Sequence, residues 1–383
     1  MSNPHKLNTI ALIARNIKGK TGASQYIMQL ARFLGEKGHT VTLIASKFSL
    51  EPVNLPHIQH KKILDIRLGS YCKRRYFAFR ADFYSKRNHF DIIHGHGDSL
   101  NQDILSLHNL VHKTHEIMHG TSLPHSSGVG RIHNRQLSEK RFKIVIAHSH
   151  LMQVDLEKRF RIPKEQIRVV YPGHDPQRFN TFDRDAVRKK ILSQWNIPPQ
   201  SFIIGFLTSG DFKKRNLMGL FQAIAHIPEP ERKNIRCFVT GHDSHIETYR
   251  NKAVSMGIGD LIIYTGAQDK PEDYYKTFDV YVHPAYFEEF GLSVLEAMAC
   301  GTPVITTSTT GASELFEGDS QSLIVNAPEN IEQLSSYLLY LKRNNIQRIM
   351  IGRSMPKLAQ NRTWHMTMKT IYSLYSMIKK LPA

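Results

Sequence analysis

Short apolar, β-branched runs alternate with helix-period segments along this whole chain, and that alternation restricts it to parallel α/β architecture. The pattern predicts strands at Ile10–Ala14, Val41–Ser46, Ile92–His94, Ile144–His148, Val169–Tyr171, Phe202–Leu207, Cys237–Thr240, Ile262–Tyr264, Val280–His283 and Val304–Thr307. Several are uninterrupted apolar runs, as expected of strands covered by helices on both faces. Between the first two, Ile27, Leu30, Ala31 and Leu34 repeat at helical spacing, and Gly38 stands where that helix needs its cap. Residues 10–46 therefore read as one βαβ unit.

A second such series restarts near residue 200, and 383 residues exceed the usual size of one hydrophobic core, so two domains are expected. The stretch from Asp183 to Gln200 is charged, lacks strand character and contains Pro198-Pro199, which makes it the expected inter-domain region. Two doubly wound halves facing each other across a cleft would bind a ligand at the carboxyl ends of their strands.

An apolar content of 41% argues against disorder. The run Ile10 to Ala14 is too brief for a signal-peptide core, and no run reaches the roughly 20 residues needed to cross a bilayer. Cys72, Cys237 and Cys300 are odd in number and lack metal-ligand spacing, so a reducing cytoplasm is expected, without disulfides. The net charge of +18 is uneven: residues 1–175 hold 27 Lys/Arg against 13 Asp/Glu, and the remainder 24 against 20. Something anionic should meet the first half, whether nucleic acid, phospholipid headgroups or a phosphorylated substrate; the plain alternative is a basic surface kept for solubility.

Chemistry concentrates in residues 280–307, which read as strand, loop, helix, glycine cap, proline and strand. Gly291 permits close backbone approach at the helix start, where the amides of Gly291, Leu292 and Ser293 can point at a phosphate. Glu296 falls among Val294, Leu295, Ala297, Met298 and Ala299, so its carboxylate needs donors, which the vicinal hydroxyls of a ribose would supply. Glu288, on the loop, can accept from sugar hydroxyls. Taken singly, each glutamate is equally readable as an ordinary helix-surface or helix-start acid. Upstream, Lys213, Lys214 and Arg215 follow a strand that ends near Gly210, a placement suited to a diphosphate leaving group or, more plainly, to a solvated charge run. The first βα turn, Ile17 to Ala23, fits neither a dinucleotide fingerprint nor a Walker loop.

Glu288 and Glu296 with Phe290-Gly291 between them, followed by Ala297-Met-Ala-Cys-Gly301-Thr-Pro303-Val, resemble the defining motif of the retaining GT-B glycosyltransferases of family four. The resemblance implies two Rossmann-like doubly wound domains facing a central cleft: 1–180 for the acceptor, 181–355 for the nucleotide sugar, and 356–383 as a helix returning to the first domain. It implies that Glu288 contacts the donor sugar, Glu296 binds the ribose, and the Phe290, Gly291 and Leu292 backbone holds the diphosphate. Lys214 and Arg215 would meet the leaving group, with arginine replacing the family's usual lysine, and Gly22 matches a glycine of the first donor loop. Glu314 comes after a glycine-containing turn as in the family, and His108 sits where the family places a histidine or aspartate beside the reacting centre. His94 and His96, two apart on a strand, also have a spacing known in metal sites, but in a chain with 21 histidines no metal is expected. The segment Val170 to Phe179 resembles the family's exit from the first domain.

Over most of its length the chain looks similar to bacterial lipopolysaccharide-core enzymes of the glucosyltransferase I type. That likeness implies transfer of a hexose from a nucleoside-diphosphate sugar, here expected to be a UDP-sugar co-substrate, to an anionic glycan or glycolipid, with no cofactor. The site of action would be the cytoplasm, peripheral to the anionic inner face of the cell membrane. Arg74, Arg75 and Arg80, interleaved with Tyr76, Phe79, Phe83 and Tyr84, and His96 are the candidate acceptor residues. Such a segment also suits single-stranded nucleic acid, or a core-facing aromatic stripe with a solvated back. Residues 112–141, rich in His, Lys, Arg and Gly, read as a mobile loop over the acceptor. The rivals are a same-fold nucleotide-sugar epimerase and a basic nucleic-acid-binding protein.

Overall fold

The computed structural model describes residues 8–18, 21–48 and 57–380; Gly19 and Lys20 of the first βα turn lie outside them. The chain forms two compact units, Met1–Pro172 with Trp364–Ala383, and Gly173–Thr363. Each is a parallel sheet carrying helices.

In the first unit the strands are β1 (Thr9–Ile13), β2 (Thr40–Ala45), β3 (Ile58–Lys62), β4 (Ile92–Gly95), β5 (Ile104–Ser106), β6 (Ile144–Ala147) and β7 (Ile167–Val169), in the spatial order β3-β2-β1-β4-β5-β6-β7. Ile10, Leu12 and Ile13 in β1 are wholly buried, as an interior parallel strand requires. The helix Ser70–Asn88 covers the sheet through Phe77 and Ala81, which pack with Ala11, Ile13, Ile44 and Ile63. The last helix, Trp364–Lys380, also belongs to this unit. Its Tyr372 ring meets Phe33 of the helix Gly22–Glu36, and its Lys379 ammonium pairs with Asp91 at 2.8 Å.

Two short elements escape the periodicity argument. β3 is an edge strand with Gln59 and His60 exposed, held by register pairing with β2 and not by an apolar run. β5 has only three residues, all buried. The expected strand Val169–Tyr171 lies slightly earlier, at β7. Residues 112–141 are not a mobile loop but two helices, Val111–His119 and Gly128–Glu139. Ser127 caps the second by accepting from the Gly130 amide at 3.1 Å, and Ile132 and Leu137 are buried beneath it. Its glycine serves close packing, because a Cβ at Gly128 would come within 2.6 Å of the Tyr71 amide.

In the second unit β8 (Phe202–Leu207), β9 (Ile235–Thr240), β10 (Ile262–Gly266), β11 (Val280–His283), β12 (Val304–Thr307) and β13 (Ile324–Val325) run in the order β10-β9-β8-β11-β12-β13. The segment Asp183 to Gln200 is not a linker. It carries the helix Arg184–Gln194, locked to this unit by Arg184 donating to the Cys300 and Phe278 carbonyls at 2.8 and 2.7 Å. The boundary falls at Pro172, earlier than residue 180, because Phe179 is already buried against Tyr275 in the second unit. The return falls at Trp364 and not at residue 356, because the helix Asn345–Ala359 buries Met355 and Ala359 in that unit. His174 donates its amide to the Arg362 carbonyl at 2.9 Å, so the two chain crossings start from adjacent backbone.

Candidate active site

The second unit builds a site from three loops at the carboxyl ends of β8, β11 and β12. The loops are stitched together by backbone: Tyr286 donates to the Lys214 carbonyl at 3.0 Å, Glu288 to Thr309 at 3.1 Å, and Gly311 to the Glu288 carbonyl at 3.0 Å. Gly291 ends the middle loop at φ 94 and ψ 69, and the helix Leu292–Ala299 starts immediately after it with no side-chain cap. An L residue at Gly291 would be strained, and its Cβ would also stand 3.0 Å from Thr310 Cγ2. The Leu292 and Ser293 amides thus open an uncapped helix, the ordinary setting for an anion.

Beside this helix start lie two cations and two anions. Lys214 Nζ is 3.1 Å from Glu289 Oε2 and 3.8 Å from Glu288 Oε1, while Arg215 Nε is 2.9 Å from Glu288 Oε2. Lys214 and Glu289 are 8% and 4% exposed, so their charges stay in the interior only because they are paired. The loop Thr208 to Asn216 is far from a solvated charge run: Asp211 Oδ1 accepts from the Lys214 amide at 3.0 Å, and Asn216 caps the helix Leu217–His226. His283 is buried nearby with Nε2 lacking a hydrogen-bond partner, 3.8 Å from Glu288 Oε2. Burial and the adjacent Arg215 and Lys214 cations push its pKa down to about 3, so it is neutral.

Glu296 is part-buried on the same helix and accepts from the Tyr275 hydroxyl at 3.1 Å. Burial raises its pKa to about 7; the Tyr275 bond and the Arg178 charge pull the other way without offsetting it. Glu314 sits on the single turn Gly311–Leu315, three residues after Gly311, whose amide binds the middle loop.

The structure therefore brings Lys214, Arg215, Glu288, Phe290, Gly291 and Leu292 together, with Glu296 one turn along the same helix. The remaining candidates belong to the first unit. Gly22 opens the helix Gly22–Glu36, whose cap is Thr21. Arg74 is paired with Asp98, whereas Arg75 and Arg80 are exposed. His96 Nδ1 and His108 Nε2 are hydrogen-bonded to each other at 3.1 Å at the carboxyl ends of β4 and β5. Sequence reasoning missed Glu289, Tyr275 and His283. Glu289 left no signal in the sequence, because its partner Lys214 lies 75 residues away between the charged Lys213 and Arg215.

Two parallel units, each a sheet carrying helices, give the chain the GT-B fold of glycosyltransferases. The chain belongs to the family-four glycosyltransferases and is a glycosyltransferase enzyme: residues 20–178 match the model described as Glycosyltransferase Family 4, and residues 187–357 that described as Glycosyl transferases group 1. The chain is 24% identical to the D-inositol 3-phosphate glycosyltransferase of Salinispora tropica, over 92% of this chain and 80% of that one. Its fold is that of WaaG, a glycosyltransferase involved in lipopolysaccharide biosynthesis, with TM-score 0.81 at 16% identity over 95% of this chain and 99% of that one. The Anabaena protein HepE, solved with UDP and glucose, has TM-score 0.78 at 16% identity over 97% of this chain and 100% of that one.

Proposed function

We propose that the chain is a retaining hexosyltransferase that takes a glucose-like sugar from a UDP-sugar, without a metal, and adds it to a hydroxyl of an anionic glycan or glycolipid such as the lipopolysaccharide core. The observation that carries this reading is the uncapped Gly291 helix start beside the Lys214, Arg215, Glu288 and Glu289 cluster. A diphosphate arriving there gives Lys214 and Arg215 a second anionic partner and the Leu292 and Ser293 amides their missing acceptor. In the reaction the bond from the anomeric carbon to the diphosphate breaks with its electron pair leaving on phosphate. The acceptor oxygen then bonds the same face of that carbon, and the hydroxyl proton passes to the departing diphosphate. Stabilising that diphosphate is the main electrostatic demand, and losing one preorganised donor costs roughly 10²–10³ in rate. Glu288 and Glu314 take the sugar side and Glu296 the ribose hydroxyls. Gly22, His96, His108, Arg75 and Arg80 are assigned to the first unit's part of the reaction, and Arg74 to the support of that surface through Asp98.

The first unit offers a surface suited to an anionic membrane. Along the helix Ser70–Asn88, Phe79 and Phe83 are 66% and 54% exposed on one stripe with Arg75 and Lys86, and Leu64 and Leu68 just before it are also exposed. Cations around exposed aromatics are the signature of interfacial binding. Among the described residues no helix is long and apolar enough to cross a membrane. The proposed site of action is the cytoplasmic face of the membrane, reached peripherally through this exposed basic and aromatic stripe.

A thermal-shift panel of UDP, GDP, ADP and their sugars, on the native protein and on Glu296→Ala, tests the reading. UDP and UDP-glucose should raise the native melting temperature and lose most of that effect in the variant. If no nucleotide stabilises the native chain, and salt-sensitive RNA binding appears instead, the reading is wrong.

A further inference from the structure

Three histidines of the first unit form a hydrogen-bonded chain that the donor site does not use. They stand just past three neighbouring strands: His96 after β4, His108 after β5 and His148 after β6. His96 Nδ1 is 3.1 Å from His108 Nε2, His108 Nδ1 is 3.1 Å from His148 Nε2, and His148 Nδ1 is 3.2 Å from the Val170 carbonyl oxygen. Tyr26 packs against all three rings, with centroids 5.0 to 5.9 Å away, and His94 stacks on His96 at 4.3 Å.

The direction of the chain is set by its anchored end. A carbonyl only accepts, so His148 must carry its hydrogen on Nδ1. A neutral imidazole has one N–H, which leaves a lone pair on His148 Nε2. His108 then donates from Nδ1 and accepts at Nε2, and His96 donates from Nδ1. One lone pair remains, on His96 Nε2, a buried atom with no hydrogen-bond partner in a residue only 6% exposed. We propose that the Val170 carbonyl sets the tautomer of His96 through His148 and His108, so that His96 Nε2 accepts a hydrogen bond from a hydroxyl of the sugar substrate, with His148 as the positioning residue. The ligand half of this assignment rests on the glycosyltransferase reading; the tautomer half does not. Burial, aided by the neighbouring imidazoles, holds the pKa values of His96 and His108 well below the ordinary histidine range, as neutral rings require. A buried acceptor left without a donor is costly, and a hydroxyl is the neutral group that satisfies it.

The test is long-range ¹H–¹⁵N spectroscopy of the full chain labelled on histidine, with the rings assigned by single substitutions. His96, His108 and His148 should all be protonated on Nδ1. His148→Leu removes the acceptor for His108 Nδ1 and should move the proton of His96 to Nε2. His148→Gln should restore the native pattern, since its amide can donate to Val170 and its carbonyl can accept from His108. A native His96 protonated on Nε2 overturns the proposal, as does an unchanged His96 in His148→Leu. UDP, UDP-glucose and free glucose are then added in turn. A response of the His96 Nε2 resonance to UDP-glucose but not UDP assigns the hydroxyl to the donor sugar, and a response to glucose with UDP present assigns it to the acceptor. UDP stabilising the protein with His96 silent to both sugars overturns the ligand half alone. No stabilisation by UDP overturns the UDP-sugar reading and leaves the tautomer result standing.

Discussion

Glu289 supports the candidate site through an interaction whose strength is measurable without any substrate. Glu289→Ala removes the carboxylate 3.1 Å from Lys214 Nζ, and the side chains of both residues are at most 10% exposed. Removing one partner of a buried pair costs about 3–5 kcal/mol, because the other charge is left in the interior. Here the lower end applies, since Glu288 Oε1 remains 3.8 Å from the same ammonium. For a unit of this size about 3 kcal/mol corresponds to roughly 6–12 °C in melting temperature. Calorimetry on the full chain should show that drop, and adding Lys214→Met to Glu289→Ala should recover most of it, because an apolar pair needs no counter-charge. UDP should also raise the melting temperature of Glu289→Ala by more than it raises that of the native chain, its phosphates replacing the lost carboxylate. A cost below about 1 kcal/mol, the value of an exposed ion pair, with no recovery in the double variant, would refute the argument that burial makes this pair necessary.

Glu296, with its pKa raised to about 7, is largely neutral at pH 6 and ionised at pH 8. Ribose hydroxyls donate to the ionised form, so UDP affinity measured by calorimetry should rise up to about pH 7 and level off above it, with loss approaching tenfold per unit well below. The sign for folding is opposite: a raised carboxyl pKa means the empty protein holds this stability below the ordinary glutamate range and loses it as pH rises through 7, so Glu296→Gln should melt higher than native at pH 8 and alike at pH 4. Gly291→Ala should cost about 1–2 kcal/mol for its positive φ and abolish the stabilisation by UDP, which chemical denaturation with and without UDP would measure. Phe79→Asp with Phe83→Asp should weaken sedimentation with anionic phospholipid vesicles several-fold and leave UDP affinity unchanged.

The fold was legible wherever a strand lies in the middle of a sheet. β8, β11 and β12 coincide with their apolar runs because interior parallel strands must be apolar on both faces. β3 was not legible, because an edge strand is selected by its backbone partner and its lysines are compatible with solvent. Glycine misled at residues 112–141, where composition suggested motion and the structure uses Gly128 to bring two helices into contact. The segment after Asp183 misled for the opposite reason: Arg184 and Arg188 look solvated in sequence but donate to buried carbonyls.

The site divides along the same line. The placement of Gly291, Glu288 and Glu296 was legible because it depends on local spacing: one positive φ, one helix start and one acid on the helix after it. Glu289 and Tyr275 were not, because each acts on a residue distant in sequence, Lys214 in one case and Glu296 in the other. The histidine chain goes one step further, since no spacing in the sequence relates His96, His108 and His148. Parallel topology does, by ending three consecutive strands of the sheet at one level, so that the histidine beyond each strand end reaches the histidine beyond the next. Its polarity comes from Val170, at the end of the next strand along, whose side chain carries no chemistry and whose carbonyl sets the direction of every bond in the chain.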